Sequence, residues 1–499
     1  LPLAIELAAV RIKLLAPDAI LKRLSDSLNL LTGGARDLPA RQQTMRAAIA
    51  WSYDLLDSEE RKLLNRLSVF AGGFTFEAAE AAGGNYELRV TNDESNKSAI
   101  QNQQPAINIL DGISSLVDKS LLVARSQTPD DEPRFRMLAV VREFALEALR
   151  ASGEADEIKR RHARFYARLA ETAEPELRSE NVARWLDALE REHDNLRAAM
   201  EWSISGSGEP EIALRIVGAI RSFYVRRGYL SEGGQWAIIA LERNGDDADS
   251  ALRAKAYLAL GAFKRFQGDL ATAEKFLRES LRLSRENKQS YWTSVALGDF
   301  GLVKYMQDDL ANGKTLLEES LAIARDLKNR RLISIRLNTL GEIARKQQDF
   351  AAAEKYYLEA LSIAREESAK YLIPVYCFNL ASVACRREDY QAALGYALEA
   401  LEISEELDDR ISIADSLNIF AALAQKDGET RRAVYLSGAA QAIYDATGFK
   451  LEKVDQEFID GLVAEMRTKL GDEDFRASFA EGQAMKLGKA IALARGEMN

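Results

Sequence analysis

The stretch Leu340-Gly341-Glu342-Ile343-Ala344-Arg345-Lys346-Gln347-Gln348-Asp349-Phe350-Ala351-Ala352-Ala353 decides the fold, because it recurs. Gly341 has counterparts at Gly261, Gly301, Ala381 and Ala421, spaced 40 residues apart and each preceded by Leu or Phe. The turn Gln348-Asp349-Phe350 has counterparts at Gly268-Asp269-Leu270, Asp308-Asp309-Leu310, Glu388-Asp389-Tyr390 and Gly428-Glu429-Thr430. A second small residue follows each turn (Ala273, Gly313, Ala353, Ala393, Ala433), and Leu281, Leu321, Leu361 and Leu401 keep the same frame. Gly228-Tyr229-Leu230 and Leu241 extend it one period upstream. The pattern describes about six helix–turn–helix units between residues 212 and 447.

A small residue before the turn lets helix A of a unit lie close to helix B, and the one after the turn does the same from the other side. Each pair leaves an apolar face that only the next pair can bury, so the units stack into a superhelix. The unit resembles the tetratricopeptide repeat, whose usual period is about 34, with the extra residues expected in longer helices or connections. Further on, Phe458, Leu462, Val463, Met466 and Leu470 form a helical stripe expected to cap the last unit. Two short helices over 472–496 are expected to complete the cap.

Composition narrows the function. The chain has 499 residues, 47% hydrophobic and 29% charged, which is too long for one core and too apolar for disorder. Only 9 prolines, among abundant Ala, Leu, Glu and Arg, favour helix nearly throughout. A formal net charge of −10 provides no basic field to hold nucleic acid. Two cysteines, Cys377 and Cys385, cannot build a disulfide framework and point to a reducing, cytoplasmic setting. Two histidines, His162 and His193, leave little for a His-based metal site or catalytic triad. No apolar run approaches the roughly 20 residues of a membrane span. The chain opens on Leu1 without an initiator Met or a signal peptide, and reads as part of something longer.

Before the repeats the pattern is different. Asp57-Ser58-Glu59-Glu60 opens a helix carrying Leu63, Leu64, Leu67 and Phe70, and Ala71-Gly72-Gly73 ends it. Thr75 caps a short helix to about Ala82, residues 84–105 form a polar insertion, and another helix runs to Asp118. Residues 121–125 and the period-two run Arg134-Phe135-Arg136-Met137 read as one β-hairpin turned by 129–133. Helices, one hairpin and a closing helix describe a winged helix.

Leu1-Pro2-Leu3-Ala4-Ile5-Glu6-Leu7-Ala8, Trp51-Ser52-Tyr53-Asp54-Leu55-Leu56, Leu67-Ser68-Val69-Phe70-Ala71-Gly72-Gly73 and Leu116-Val117-Asp118-Lys119-Ser120-Leu121-Leu122 are similar to motifs of NB-ARC-type STAND ATPases. The resemblance covers essentially the whole chain and is closest to bacterial ATPases that act as signalling or transcriptional regulators. It implies an all-α architecture: a winged-helix domain with one small β-hairpin, followed by an α-α superhelix of about six 40-residue tetratricopeptide-like repeats. The implied domains are 1–38, the end of the helical subdomain; 39–153, the winged helix; 154–211, linker helices; 212–447, repeats; and 448–499, capping helices. In the family a P-loop core binds ATP or ADP with Mg²⁺, the winged helix helps to hold it shut, and the repeats sense an inducer or protein partner. That core would lie upstream of Leu1, so this chain needs no cofactor of its own and is expected not to be an enzyme; its partners are that core and whatever the repeats bind. Pro2 matches the family proline placed against adenine, and reads equally as a helix-starting proline. Met137-Leu138-Ala139 stands where relatives carry Met-His-Asp, and a leucine gives a phosphate no hydrogen bond.

Other candidate chemistry reads as packing or surface. Gly313-Lys314-Thr315 imitates the end of a P-loop, but Asp308 stands where the first glycine is required. Cys377 and Cys385 sit eight apart on one helix, a buried-residue spacing rather than a metal clip. His162 is expected to be solvated, and Glu318-Glu319 and Glu405-Glu406 to join surface ion pairs. Direct DNA binding by 39–153 is disfavoured, because its 13 Lys/Arg stand against 16 Asp/Glu.

The remaining candidates lie four and five residues after the small residue of helix A: Arg265-Phe266, Tyr305-Met306, Arg345-Lys346, Cys385-Arg386 and Gln425-Lys426. Four of these five pairs carry a cation on an otherwise acidic arm, so they read either as a groove for an acidic peptide or anionic inducer, or as solvated helix ends favoured by the dipole. Without a phosphate cradle the chain is expected to show no ATP hydrolysis above blank. Turnover that disappears in Lys314→Ala would overturn the decoy reading.

Overall fold

The computed structural model describes residues 44–84, 108–125, 133–179, 181–246, 248–447, 449–451 and 453–497. Pro2 and the motif at 1–8 lie outside the described residues, as does the 84–105 insertion apart from its first residue. The chain forms two compact units, Leu1–Phe263 and Lys264–Asn499.

In the first unit, α1 (Met45–Asp54), α2 (Ser58–Leu67), α3 (Phe76–Gly83) and α4 (Ile109–Asp118) surround a small sheet of β1 (Gly73–Phe74), β2 (Leu122–Arg125) and β3 (Arg134–Met137). The capping box expected at Asp57 is formed: Asp57 accepts from the Glu60 amide and Glu60 accepts from the Asp57 amide. The sheet is antiparallel, order β1-β3-β2, with Leu122 opposite Met137 and Phe74 opposite Phe135. The expected hairpin is thus joined by a third strand, β1, whose two residues are too few to display an alternating pattern.

Helices α5 (Ala139–Ser152), α6 (Ala155–Glu176), α7 (Val182–Arg191) and α8 (His193–Ser203) follow. A polar network fastens the sheet to them. The Asn195 carboxamide accepts from Ala71 N at 2.9 Å and donates to Gly73 O at 2.8 Å, while Glu192 accepts from Asn195 and from buried Tyr166 and pairs with Arg134. His162 corrects the expectation of a solvated helix residue. It is 3% exposed and packs edge-on against Phe70, and burial pushes its pKa down to about 3, so it is a neutral core residue. It shares a face of α6 with Ile158, Tyr166 and Ala170, a four-residue spacing that marks a buried stripe.

The upstream repeat has its first helix broken at Ile220 into α9 (Pro210–Ala219) and α10 (Arg221–Arg227), and its second is α11 (Leu230–Asn244). Helices α12 (Ser250–Phe266) and α13 (Leu270–Glu286) follow in sequence, and the remaining helices pair as expected: α14 (Ser290–Met306) with α15 (Leu310–Asp326), α16 (Arg330–Lys346) with α17 (Phe350–Glu366), α18 (Ile373–Arg386) with α19 (Tyr390–Glu406), and α20 (Arg410–Lys426) with α21 (Thr430–Thr447). Each A-to-B turn contains one left-handed residue, with φ between 61° and 82° at Gly268, Asp308, Gln348, Glu388 and Gly428. Only that conformation reverses the chain within three residues, so helix A ends at the same place every time. Helices α22 (Lys453–Leu470), α23 (Asp472–Gln483) and α24 (Leu487–Arg495) close the chain.

A and B meet where Cβ atoms are missing or minimal. The backbone oxygen of Gly313 lies 3.1 Å from where a Cβ would sit on Gly301. Gly313 therefore serves helix contact, inside α15, and no phosphate loop surrounds Lys314. A Cβ on Gly341 would come 2.5 Å from the Tyr357 ring, so Gly341→Leu is expected to cost about 1–3 kcal/mol through overpacking. Neighbouring units share their faces, so hydrogen exchange should accelerate in α14–α15 and α18–α19 as well. An unchanged melting temperature would refute the packing role of Gly341.

Candidate functional site

The last turn of every A helix, just before the left-handed residue, carries the paired positions singled out above. The structure divides them into two groups.

In the earlier group, the Arg265 guanidinium stacks 4.1 Å over the Phe266 ring, and Phe266 is 52% exposed. Tyr305 is buried, whereas Met306 beside it is 43% exposed. Lys346 Nζ lies 4.9 Å over the Tyr305 ring and pairs with Asp308 Oδ1 at 2.8 Å. Phe266 and Met306 thus leave apolar area open beside cations whose stems are already positioned.

In the later group, α22 covers Arg345 and Gln425, whereas Arg386 and Lys426 stay exposed at its edge. Arg345 is 3% exposed; its Nη1 donates to Asp455 Oδ1 at 2.5 Å and to Ser382 Oγ at 3.4 Å, and its Nη2 donates to Asp455 Oδ2 at 3.2 Å. Arg386 Nη2 donates to Val454 O at 3.2 Å, with its guanidinium between the rings of Phe350 and Phe458. Gln425 Nε2 donates to Glu465 Oε1 at 2.9 Å. Lys426 lies 5.0 Å over the Tyr390 ring. Helix α22 packs on the last unit, α20 and α21, as expected of a cap, and its first turn also reaches back to α16. The stripe Phe458, Leu462, Met466 was readable as the apolar face of a cap, but the reach of Asp455 to Arg345 was not.

Beside this contact, Tyr444 donates to Asp415 Oδ1 at 2.5 Å, and Asn418 donates to the Tyr444 hydroxyl at 3.3 Å. Burial pushes the Asp415 carboxyl up to about 7 against the lowering effect of the Tyr444 hydrogen bond; Asp455 and Asp409 add to the rise and Arg345 opposes it. No sequence pattern marks Asp415.

A second concavity of about 580 Å³ lies between α13, α14 and α15, lined by Arg278, Arg282, Arg285 and Phe300. Its arginines pair with Glu274, Glu279, Glu286 and Glu319, so it presents no uncommitted cation. Cys377 and Cys385 are free thiols on α18, the first fully buried. Burial raises the pKa of both, that of Cys385 to about 11, which keeps it a thiol at neutral pH. Leu138 occupies the N-cap of α5 and makes no side-chain cap hydrogen bond. Among the described residues there is no group of three or more His, Cys, Asp and Glu placed to hold a metal, and no helix is long and apolar enough to cross a membrane.

Models of the tetratricopeptide repeat match residues 252–326, 292–366 and 379–407, so the repeating unit is a tetratricopeptide-type repeat. Proteins of Mycobacterium bovis and Mycobacterium tuberculosis provisionally named HTH-type transcriptional regulators are 37% identical over 245 residues, 48% of this chain and 25% of theirs. The chain thus spans about a quarter of the length of these relatives. An uncharacterized Mycobacterium bovis protein is 38% identical over 161 residues, 32% of this chain and 37% of its own. Among solved structures, a STAND protein with a tetratricopeptide repeat sensor from Pyrococcus horikoshii aligns over 96% of this chain and 71% of its own, with 17% identity and a TM-score of 0.49. The chain therefore carries a tetratricopeptide-type repeat array.

Asp415 provides a pH test. Its folded pKa lies above the unfolded carboxyl value of about 4, so the folded state binds the extra proton. Stability is accordingly lost as pH rises from about 4 towards about 7. Asp415→Asn keeps an oxygen for Tyr444 and removes the titration. It should raise the melting temperature at pH 8, by roughly 2–4 °C per kcal/mol recovered, and leave it unchanged near pH 4. An equal effect at both pH values would exclude titration of Asp415 as the cause.

Proposed function

We propose that this chain is the regulatory and sensor arm of a larger signal-transduction ATPase and transcriptional regulator, whose repeats bind a protein partner or small inducer on the A-helix face. The observation that carries it is the recurring A-helix terminus, which sets Arg265 and Tyr305 at one repeat position and Lys346 and Lys426 at the next, where Phe266 and Met306 are left open to contact. Exposed apolar anchors beside cations are the composition of a recognition patch rather than of a solvated edge. The tetratricopeptide repeats and the identity to named transcriptional regulators support the same reading.

In this reading residues 1–38 end an NB-ARC helical subdomain and 39–153 form a winged helix, for which α2–α4, the sheet order β1-β3-β2 and the closing helix α5 speak. Residues 154–211 link it to the repeats, and 448–499 cap them. The winged helix helps to hold the off state against a nucleotide-binding domain, which carries ATP or ADP with Mg²⁺ and meets Pro2. The described residues themselves do not fit a nucleotide site: Leu138 has no donor, and Lys314 lies within a helix. No catalytic role is assigned to this chain, and its place is the cytoplasm. DNA reading through α4 is disfavoured, because that helix presents Asp111 and Asp118 and no Lys or Arg. A free-standing scaffold would use the same face without any transcriptional output.

Phe266→Ser with Met306→Ser, introduced into the gene, separates these cases. The sensor reading expects the transcript levels of its target genes to change about tenfold or more, with protein abundance and melting temperature held. An unaltered transcript profile together with loss of partner proteins in co-purification would favour the scaffold. A salt-sensitive gel shift by the purified chain would favour DNA binding instead.

A further inference from the structure

The later part of the A-helix face already holds a helix, and how that helix sits says what else can sit there. Buried Asp455, Ile459, Leu462 and Met466 follow one another at spacings of four, three and four, the anchor pattern of a helix lying in a groove. The remaining face of α22, with Glu457, Asp460 and Glu465, is exposed. The polar partners are complementary: Arg345 pairs with Asp455, and the Gln425 amide donates to Glu465.

The fit is nonetheless incomplete. Arg345 Nε and Gln425 Oε1 are buried beneath α22 and have no hydrogen-bond partner among the described residues. The Arg345–Asp455 pair is itself buried, and a buried ion pair fixes geometry more than it stabilises, because desolvation offsets the attraction. The rest of the C-terminal cap has its own anchor. The Cα region of Gly438 on α21 meets α23 so closely that a Cβ there would lie 2.4 Å from Phe479 O, and Gly482 makes the reciprocal contact with Tyr435. The docking of α23 on α21 thus rests on contacts in which α22 takes no part.

We propose that the A-helix face from α16 to α20 is a docking groove for an acidic amphipathic helix of a protein partner, and that α22 is a resident stand-in which such a helix displaces. The preferred occupant carries a carboxylate four residues before its first apolar anchor, reaching both Arg345 Nε and Nη, and a hydrogen-bond donor opposite Gln425 Oε1. This rests on the sensor reading above and adds the partner's chemistry and the means of regulation.

The probe is a fluorescein-labelled peptide with the sequence of residues 453–470, added to the full chain. The wild type should bind it weakly. Asp455→Asn in the chain should strengthen binding about tenfold or more by loosening the resident helix, and hydrogen exchange should quicken in 453–470 while 330–447 stays protected. The same peptide with its own Asp455→Asn change should lose that gain. Glu465→Ala in the chain, which removes the acceptor of Gln425 Nε2, is a second variant that should act in the same direction if Asp455→Asn impairs folding. Unchanged peptide affinity in both variants, or exchange of 453–470 in step with α20 and α21, would overturn the proposal and leave α22 a fixed cap. Phe266 and Met306 lie outside the α22 contacts, so the transcript experiment is unaffected by that outcome.

Discussion

How closely two helices can approach where neither presents a bulky Cβ is the constraint on which the repeat array depends. At Gly301 and Gly313 the backbones themselves are in contact distance, and at Gly341 the partner is the flat ring of Tyr357. Ala381 with Ala393 and Ala421 with Ala433 hold the same places, fully buried. That approach requires helix A to stop and reverse within one turn, and the left-handed residue at 268, 308, 348, 388 and 428 does this. Three of those five are not glycine, each at a cost of roughly 1–2 kcal/mol. Strain of that size is tolerated only because the packed interface on either side leaves no other path.

Between successive B helices the chain uses a second repeating device. Arg285 pairs with Glu319, Arg325 with Glu359 and Arg365 with Glu399, the same step of 34 residues each time. These pairs are half exposed, so each contributes at most about 1 kcal/mol. Their value is in fixing how far one unit slides on the next. At the next position the sign reverses: Glu405 stands where arginine is expected and pairs with Arg495 of α24. The arginine staple ends there, one unit before the last repeat, and the C-terminal helix takes its place.

What could be read from the sequence follows from the range of the forces involved. The repeat frame, the Asp57 capping box and the packing role of Gly313 arise from contacts within one or two units, and all are visible as spacing. The strand Gly73–Phe74 arises from pairing with residues about 60 positions later, and two residues hold no periodicity. His162 was misread by residue type although its four-residue spacing with Ile158 and Tyr166 marked it as core. The stripe of cations was found, but α22 belongs to no repeat, so nothing in the 40-residue frame indicates that Asp455 lies on Arg345. Asp415 is still further from reach, since its environment is set jointly by α16, α20, α21 and α22.

The two faces of the last repeats treat charge in opposite ways. On the A-helix side the repeats supply Arg345 and Arg386, and the C-terminal segment supplies Asp455 and the carbonyl of Val454. On the B-helix side the repeats supply Glu405, and the C-terminal segment supplies Arg495. A segment docked with its faces exchanged would place like charges together at both ends, so the pairing specifies orientation even where it adds little stability. The two contacts differ in depth. Arg495 and Glu405 remain a third exposed, whereas Arg345 is sealed from water, so an approaching solute charge is felt far more weakly at the first pair than a change of partner is felt at the second. A buried cation that must always have an anion, on a face whose other units stand open, makes exchange of one acidic partner for another the one transition that leaves no charge unpaired.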